Sequence, residues 1–377
     1  MFHALSLLML HPPWELIRGD NVQEPESAPA DGPGGFLYTE GTIHDFYFDL
    51  SEEAMDALGR DEPDVHALLT YKGVTWDVGF KLKGSSTYQG MDGKPSIKVD
   101  LEEWVPDQAM LGVRRLTLNN MVFDATMLRE HTAYRLYDVV GAPAPRHGYA
   151  RVWINDEPYG LYGIVETMDE QFLRRRFPQD GDGNLYDSTY TYADLTSGGI
   201  SHFELKEGEP VEPYADLREL VDALDRHDIL TVLDTRFDRD AVLGMWAVDL
   251  VTPMWDGYSR NTNNYLLYHA TVADRWYFLP WGQDTAFRGG GSLYAGVSGR
   301  MVSACLQHGE CKAALEARIE DVLVAWEATD LAGYASAAWA TIAAACEADP
   351  RRPLGCDPDY VFATLVERPD DVADDLP

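Results

Sequence analysis

Basic residues are scarce: 30 Lys and Arg stand against 63 Asp and Glu, a formal net charge of −33 over 377 residues. So negative a surface repels phosphate backbones and anionic headgroups, which argues against nucleic-acid and membrane-surface binding. No apolar run reaches the roughly 20 residues that span a bilayer. Cysteine is limited to Cys305, Cys311, Cys346 and Cys356, with no CxxC and no neighbouring His cluster, which argues against a structural zinc. Two local pairs allow disulfides 305–311 and 346–356, with the other two connectivities still open, and favour an oxidising compartment. The chain has no GxxxxGK[ST], no GxGxxG opening a helix after a strand, no HExxH and no GxSxG. Its ten histidines are scattered. The stretch Asp180-Gly-Asp182-Gly-Asn184 begins like a calcium loop but lacks the required Gly and the distal Glu, so it reads as an acidic turn.

What is present suits a folded chain, because 45% hydrophobic and 11% aromatic residues can fill a core. Residues 2–10 are apolar like the centre of a signal peptide, without a basic start or a small-residue cleavage site. Residues 19–35 read as a linker, and 1–36 as a tail; export is the favoured expectation. From residue 37 the pattern is β-rich. Strands are predicted at 45–50, 67–71, 74–83, 96–101, 115–118, 149–154 and 160–165, with a Lys72-Gly73 turn. A helix is expected from Asp124 to Val140 and another over 169–177, capped by Asp169. Helical spacing then dominates at 214–225, 238–251, 312–326 and 331–346, interrupted by a hairpin of 265–268 and 276–279. The expectation is α+β: a sheet-rich N-terminal lobe, 37–168, and a mainly helical C-terminal lobe, 169–377.

Three features fit phosphoryl transfer. Lys83, Lys94 and Lys98 flank a Gly/Ser loop, 84–93, whose backbone N–H groups and cationic ends could meet nucleotide phosphates. Asp256 and Asn261 have the D-x-x-x-x-N spacing of a protein-kinase catalytic loop, without the preceding His-Arg. Asp284 follows an apolar strand and precedes a Gly-rich segment, the position of a metal-binding acid. Magnesium wants one or two hard oxygens besides phosphates and water, which Asn261 and Asp284 could supply.

Residues 79–130 (GFKLKGSSTYQG, GKPSIKVDL, LTLNNMVFDATMLRE), 149–187 (including INDEPYGLYGIVE) and 255–287 (including NNYLLYH and PWGQD) resemble the CotH kinase-like family, named for a bacterial spore-coat protein. The resemblance covers most of the chain from about residue 40. It implies a secreted or surface protein with a bilobal protein-kinase-like fold, phosphorylating serines of a protein substrate with ATP and Mg²⁺ or Mn²⁺. It further implies that Asp284 binds metal, with Asp256, Asn261, Asn263 and Asn264 supplying the remaining catalytic and metal groups. Some members carry an Asp where this chain has those asparagines; if that acid is essential, this chain relies on Asp256 or is impaired. Glu130 is placed to pair with a strand lysine, and Glu166 to Met168 would form the hinge against adenine. Rival readings are a non-catalytic pseudokinase-like module and a protein nucleotidyltransferase moving AMP. An acidic enzyme would favour a basic or Ser-rich protein partner.

Overall fold

A computed structural model describes residues 32–60, 62–188, 193–210, 212–352 and 355–377. The apolar segment 2–10 and most of the linker reading lie outside the described residues. Apolar side chains alternate along seven strands: β1 (Ile43–Asp49), β2 (Val65–Tyr71), β3 (Val74–Lys83), β4 (Ser96–Asp100), β5 (Arg115–Asn119), β6 (His147–Ile154) and β7 (Glu157–Val165). They close into a barrel of order β1-β2-β3-β4-β5-β7-β6. Every pairing is antiparallel except β1 with β6, where Ile43 lies opposite Tyr149. That parallel pairing closes the sheet and removes its edges, which local periodicity cannot foresee. Phe46, Phe48, Leu69, Val78, Phe80, Ile97, Val99, Leu118 and Ile164 fill the interior. Lys72 and Gly73, both at positive φ, turn β2 into β3 as the sequence expects.

A short helix α1 (Glu52–Ala57) joins β1 to β2, and helix α2 (Arg129–Val139) starts later than the spacing predicts. Asp124 forms a local turn instead, accepting hydrogen bonds from the Thr126 amide and hydroxyl, and its second oxygen accepts from the Arg129 amide at the helix start. Side-chain competition of this kind keeps Asp and Thr out of helix interiors. Asp169 caps α3 (Glu170–Arg176) through the amides of Gln171 and Phe172.

Beyond α3 lies a second sheet of order β11-β10-β8-β9, from β8 (Asn184–Ser188), β9 (Phe203–Glu207), β10 (Tyr265–Ala270) and β11 (Arg275–Pro280). Helices α4 (Ala215–Arg226), α5 (Ile229–Arg236), α6 (Arg239–Val251), the single turn α7 (Tyr258–Asn261), α8 (Arg300–Gln307), α9 (Gly309–Ala328), α10 (Leu331–Glu347) and α11 (Asp359–Asp375) complete the chain. The fold is α+β, sheet-rich in its N-terminal part and mainly helical in its C-terminal part. Residues 241–251 of α6 are all buried, so this helix is the axis of the helical part rather than a one-sided amphipath. Cys305 pairs with Cys311 and Cys346 with Cys356, the two local bridges expected.

The barrel is fastened to the helical part by a buried ion pair. Lys94 Nζ donates to Asp349 Oδ2 at 2.6 Å and to the Leu161 carbonyl at 2.7 Å, with neither charged side chain exposed. Asp349 also accepts from the Leu161 and Arg351 amides. Gly160, at φ +103°, leaves the space: a Cβ there would lie 2.0 Å from Asp349 Oδ1. Burial pushes the Lys94 ammonium below its usual range, and Asp349 opposes the shift. Lys94 is therefore a structural tether, not a phosphate contact; its position in the loop before β4 frees it from the strand alternation that seemed to place it beside Lys98.

Two buried histidines also meet. His131 on α2 and His147 on β6 approach at 3.3 Å between Nδ1 atoms. Burial, reinforced by Arg135, pushes His131 down to about 4, and burial reinforced by His131 pushes His147 well below its ordinary value. The unfolded chain, with His near 6.5, binds more protons through that interval, so their contribution to stability is complete above about pH 6.5 and is lost as pH falls. Two outcomes are expected. Asp349→Ala should cost about 3–5 kcal/mol in urea unfolding, because it strands the Lys94 charge; a loss below about 1 kcal/mol, the scale of an exposed pair, contradicts the tether. His131→Phe should flatten the decline in melting temperature between about pH 6.5 and 4; an unchanged slope contradicts the neutral buried pair.

Candidate active site

Lys83 ends β3, and Nζ donates to Asn119 Oδ1 at 2.5 Å at the end of β5. The Asn119 amide nitrogen donates in turn to Glu130 Oε2 at 2.9 Å, and the Tyr134 hydroxyl donates to Glu130 Oε1 at 3.3 Å. The strand lysine and helix carboxylate are thus brought together through an asparagine rather than in direct contact. Burial, then Lys98, pushes Lys83 down to about 8, against Glu130, Asp187 and Asp284. Glu130 is pushed up by burial, with Asn119 and Lys83 opposing. Lys98 on β4 is pushed down by burial and by Lys206. Asp187 on β8, pushed up by burial, lies 4.0 Å from Lys206 on β9. Asn119, Asp187 and Lys206 were not singled out in the sequence; the Asn119-Asn120 pair was the available signal for the first.

Asp256 is the focus of the second half of the site. Its Oδ1 accepts from the side-chain amides of Asn261 at 2.6 Å and Asn263 at 3.1 Å, and its Oδ2 accepts from Asn264 at 2.9 Å. The convergence requires the chain to reverse after α7, where Thr262 (φ 45°) and Asn264 (φ 48°) take left-handed conformations. Asn tolerates that region, whereas a β-branched Thr is strained in it. With their nitrogens on the carboxylate, the three side-chain amides leave their oxygens without a hydrogen bond among the described residues. Asn264 also donates to the Gly282 carbonyl at 3.2 Å. Gly282 has φ 56°, and a Cβ there would sit 3.0 Å from the Asn264 side chain, so the glycine of PWGQD lets the loop and the β11 exit meet.

Asp284 lies two residues further on, in a short 3₁₀ turn. Burial pushes its carboxyl up to about 7; Glu130, Asp124 and Asp256 add to the shift and Arg288 opposes it. Below the loop, fully buried Asp249 lies 2.6 Å from the Tyr137 hydroxyl and accepts from Ser259 Oγ at 2.9 Å. Arg260 donates to the carbonyls of Asp249, Leu293 and Ala295, pinning the Gly-rich segment after Asp284.

Not every predicted residue lies here. Lys94 is in the distant tether. The Glu166 carboxylate is taken by Arg146, 2.7 Å away, and by Arg175; burial works to raise it, but the two guanidinium groups hold it below its usual range. Met168 packs with Phe172, Leu185 and Leu279. A hinge role for these two would rest on their backbone alone. Asp180 spends both carboxylate oxygens on the Val272 and Ala273 amides, as an acidic turn does.

Among the described residues no three His, Cys, Asp or Glu side chains are grouped to hold a metal. The residues that could hold a cation are Asp284 and, through their unbonded amide oxygens, Asn261 and Asn264. That set suits magnesium, which uses few protein ligands beside phosphates. The excess of carboxylate charge around Asp284 is what a cation would relieve.

The low proton affinity of Lys83 gives a direct test. The rate–pH profile of its acylation should have a midpoint near 8, moving lower in Glu130→Gln. A Lys83 midpoint near 10.4 contradicts the arrangement.

The chain matches the family described as CotH kinase protein over residues 80–357. It is 22% identical over 186 residues to the inner spore coat protein H of Bacillus subtilis (strain 168), covering 47% of this chain and 51% of that protein. It is 38% identical over 56 residues to the inner spore coat protein H-like protein of the same organism, covering 15% and 18% of the two chains. The chain thus spans about half the length, or less, of the curated relatives it matches. Among solved structures, the Helicobacter pylori proinflammatory kinase CtkA aligns over 78% of this chain and 94% of its own, with 9% identity and a TM-score of 0.30. The family match spans well over half of the sequence, and the chain belongs to the CotH kinase protein family.

Proposed function

We propose that the chain is a secreted atypical protein kinase transferring phosphate from ATP to Ser or Thr hydroxyls of a protein, with Mg²⁺ or Mn²⁺ as cofactor. The observation that carries this reading is Asp256, held by three asparagine amides, with Asp284 electrostatically linked both to it and to the Lys83–Asn119–Glu130 chain. In this reading the lobes are 37–168 and 169–377, with nucleotide between them. Asp256 accepts the proton of the attacking hydroxyl; Asn261, Asn263 and Asn264 fix the direction of its oxygens. Lys83 and Lys98 offer cationic donors to the phosphates, and Glu130 with Asn119 holds Lys83 in place. The cation on Asp284, Asn261 and Asn264 would neutralise phosphate charge. Most of the rate enhancement is then positioning and charge compensation. Two disulfides support an oxidising, extracellular setting. The net charge of −33 supports a basic protein substrate.

One observation favours a second reading, a non-catalytic nucleotide-binding module: Asn119 stands between Lys83 and Glu130, where active protein kinases use a direct ion pair. The test is mass spectrometry of a basic protein incubated with the chain, ATP and Mn²⁺. Asp256→Asn and Asp284→Ala should each lower phosphate incorporation by about 10²–10⁴-fold. Equal incorporation by Asp256→Asn sinks the kinase assignment, and added AMP in place of phosphate changes it to nucleotidyl transfer.

A further inference from the structure

A pocket of about 700 Å³ opens against the part of α2 that carries His131 and Arg135, and Glu130 does not line it. Glu130 and Arg135 are five residues apart, about 140° around the helix, so one faces Lys83 and the other this pocket. In a chain with 33 more acidic than basic side chains, Arg135, Arg146, Arg175 and Arg176 all converge here, beside the rings of Tyr38 and Tyr334. Three of these arginines have carboxylate partners: Arg146 and Arg175 share Glu166, and Arg176 meets Asp138 at 2.6 Å. Arg135 makes no hydrogen bond or ion pair among the described residues. Its Nε is shielded from solvent without a partner, and its guanidinium lies 5.7 Å from the centre of the Tyr334 ring. Tyr334 is itself held flat against His131, at 4.7 Å and 3° between planes. The volume suits a small organic ligand, and planar guanidinium forks match a phosphate better than any other side chain does.

We propose that this pocket binds an organic phosphomonoester, its phosphate met by Arg135 with the neighbouring arginines and its body by the rings of Tyr38 and Tyr334. The ligand is a free phosphorylated metabolite or a phosphoserine within a protein; both present the same group.

Calorimetric titration of the full chain with O-phosphoserine, a phosphoserine peptide, inorganic phosphate and glutamate tests it. Because a nucleotide cleft could also take phosphate, the titrations are repeated in Lys83→Ala and Asp284→Ala. O-phosphoserine or the peptide should bind equally to wild type and to both cleft variants, and at least tenfold more weakly to Arg135→Gln. Glu40 is an exposed carboxylate on the rim of the pocket, and Glu40→Gln should tighten binding severalfold without threatening the fold. Tighter binding of the peptide than of the amino acid identifies a protein as the source, and the reverse a metabolite. Absence of binding, equal binding of glutamate or inorganic phosphate, loss of binding in the cleft variants, or no change in either Arg135→Gln or Glu40→Gln overturns the proposal.

Discussion

The buried pair of Lys94 and Asp349, 255 residues apart, fixes how the barrel meets the helices. Removing two charges from water costs several kcal/mol each, which only excellent geometry offsets. Here Lys94 has two oxygen acceptors and the Tyr162 ring, and Asp349 has two backbone amides besides the ammonium. Arg351 extends the junction by donating to the carbonyls of Met91 and Gly93. Asn120 donates to the Lys94 carbonyl and, beside it, Asn119 holds Lys83. The loop between Lys83 and Lys94 is therefore anchored at both ends, one at the tether and one at the cleft.

The candidate site concentrates charge that the folded chain leaves partly uncompensated. Glu130, Asp284 and Asp187 are all pushed toward their neutral forms by burial, while Lys83 and Lys98 are pushed toward theirs. Burial and like charges gathered at one place are the means by which functional sites displace proton affinities. Asp256 differs from its neighbours in having three amide donors of its own, so the fold itself sets the direction of its oxygens. Glu166 shows the structural alternative: with two arginines on it, the carboxylate is consumed by the fold.

Much of this was legible in the sequence. Strand β3 runs from Val74 to Lys83 as alternation predicts, Asp169 caps α3, and both disulfides join the local pairs. The D-x-x-x-x-N spacing brought Asp256 and Asn261 into contact, since five residues around one tight turn suffice for the two side chains to meet. What sequence could not supply depends on distant partners. Barrel closure needs β1 beside β6, and β8 and β9 are short segments whose pairing brings the charges of Asp187 and Lys206 to bear on Lys98. Lys94 lies away from its expected place beside Lys98 because its partner is 255 residues distant, beyond any periodicity.

The measurement closest to the central claim is thermal melting with ATP and Mn²⁺ or Mg²⁺, for wild type and Asp284→Ala. A ligand that binds only the folded state raises the midpoint by mass action. The account predicts a metal-dependent rise in the wild type that disappears in Asp284→Ala. No shift of the wild type at millimolar nucleotide, or an equal shift in the variant, would contradict it.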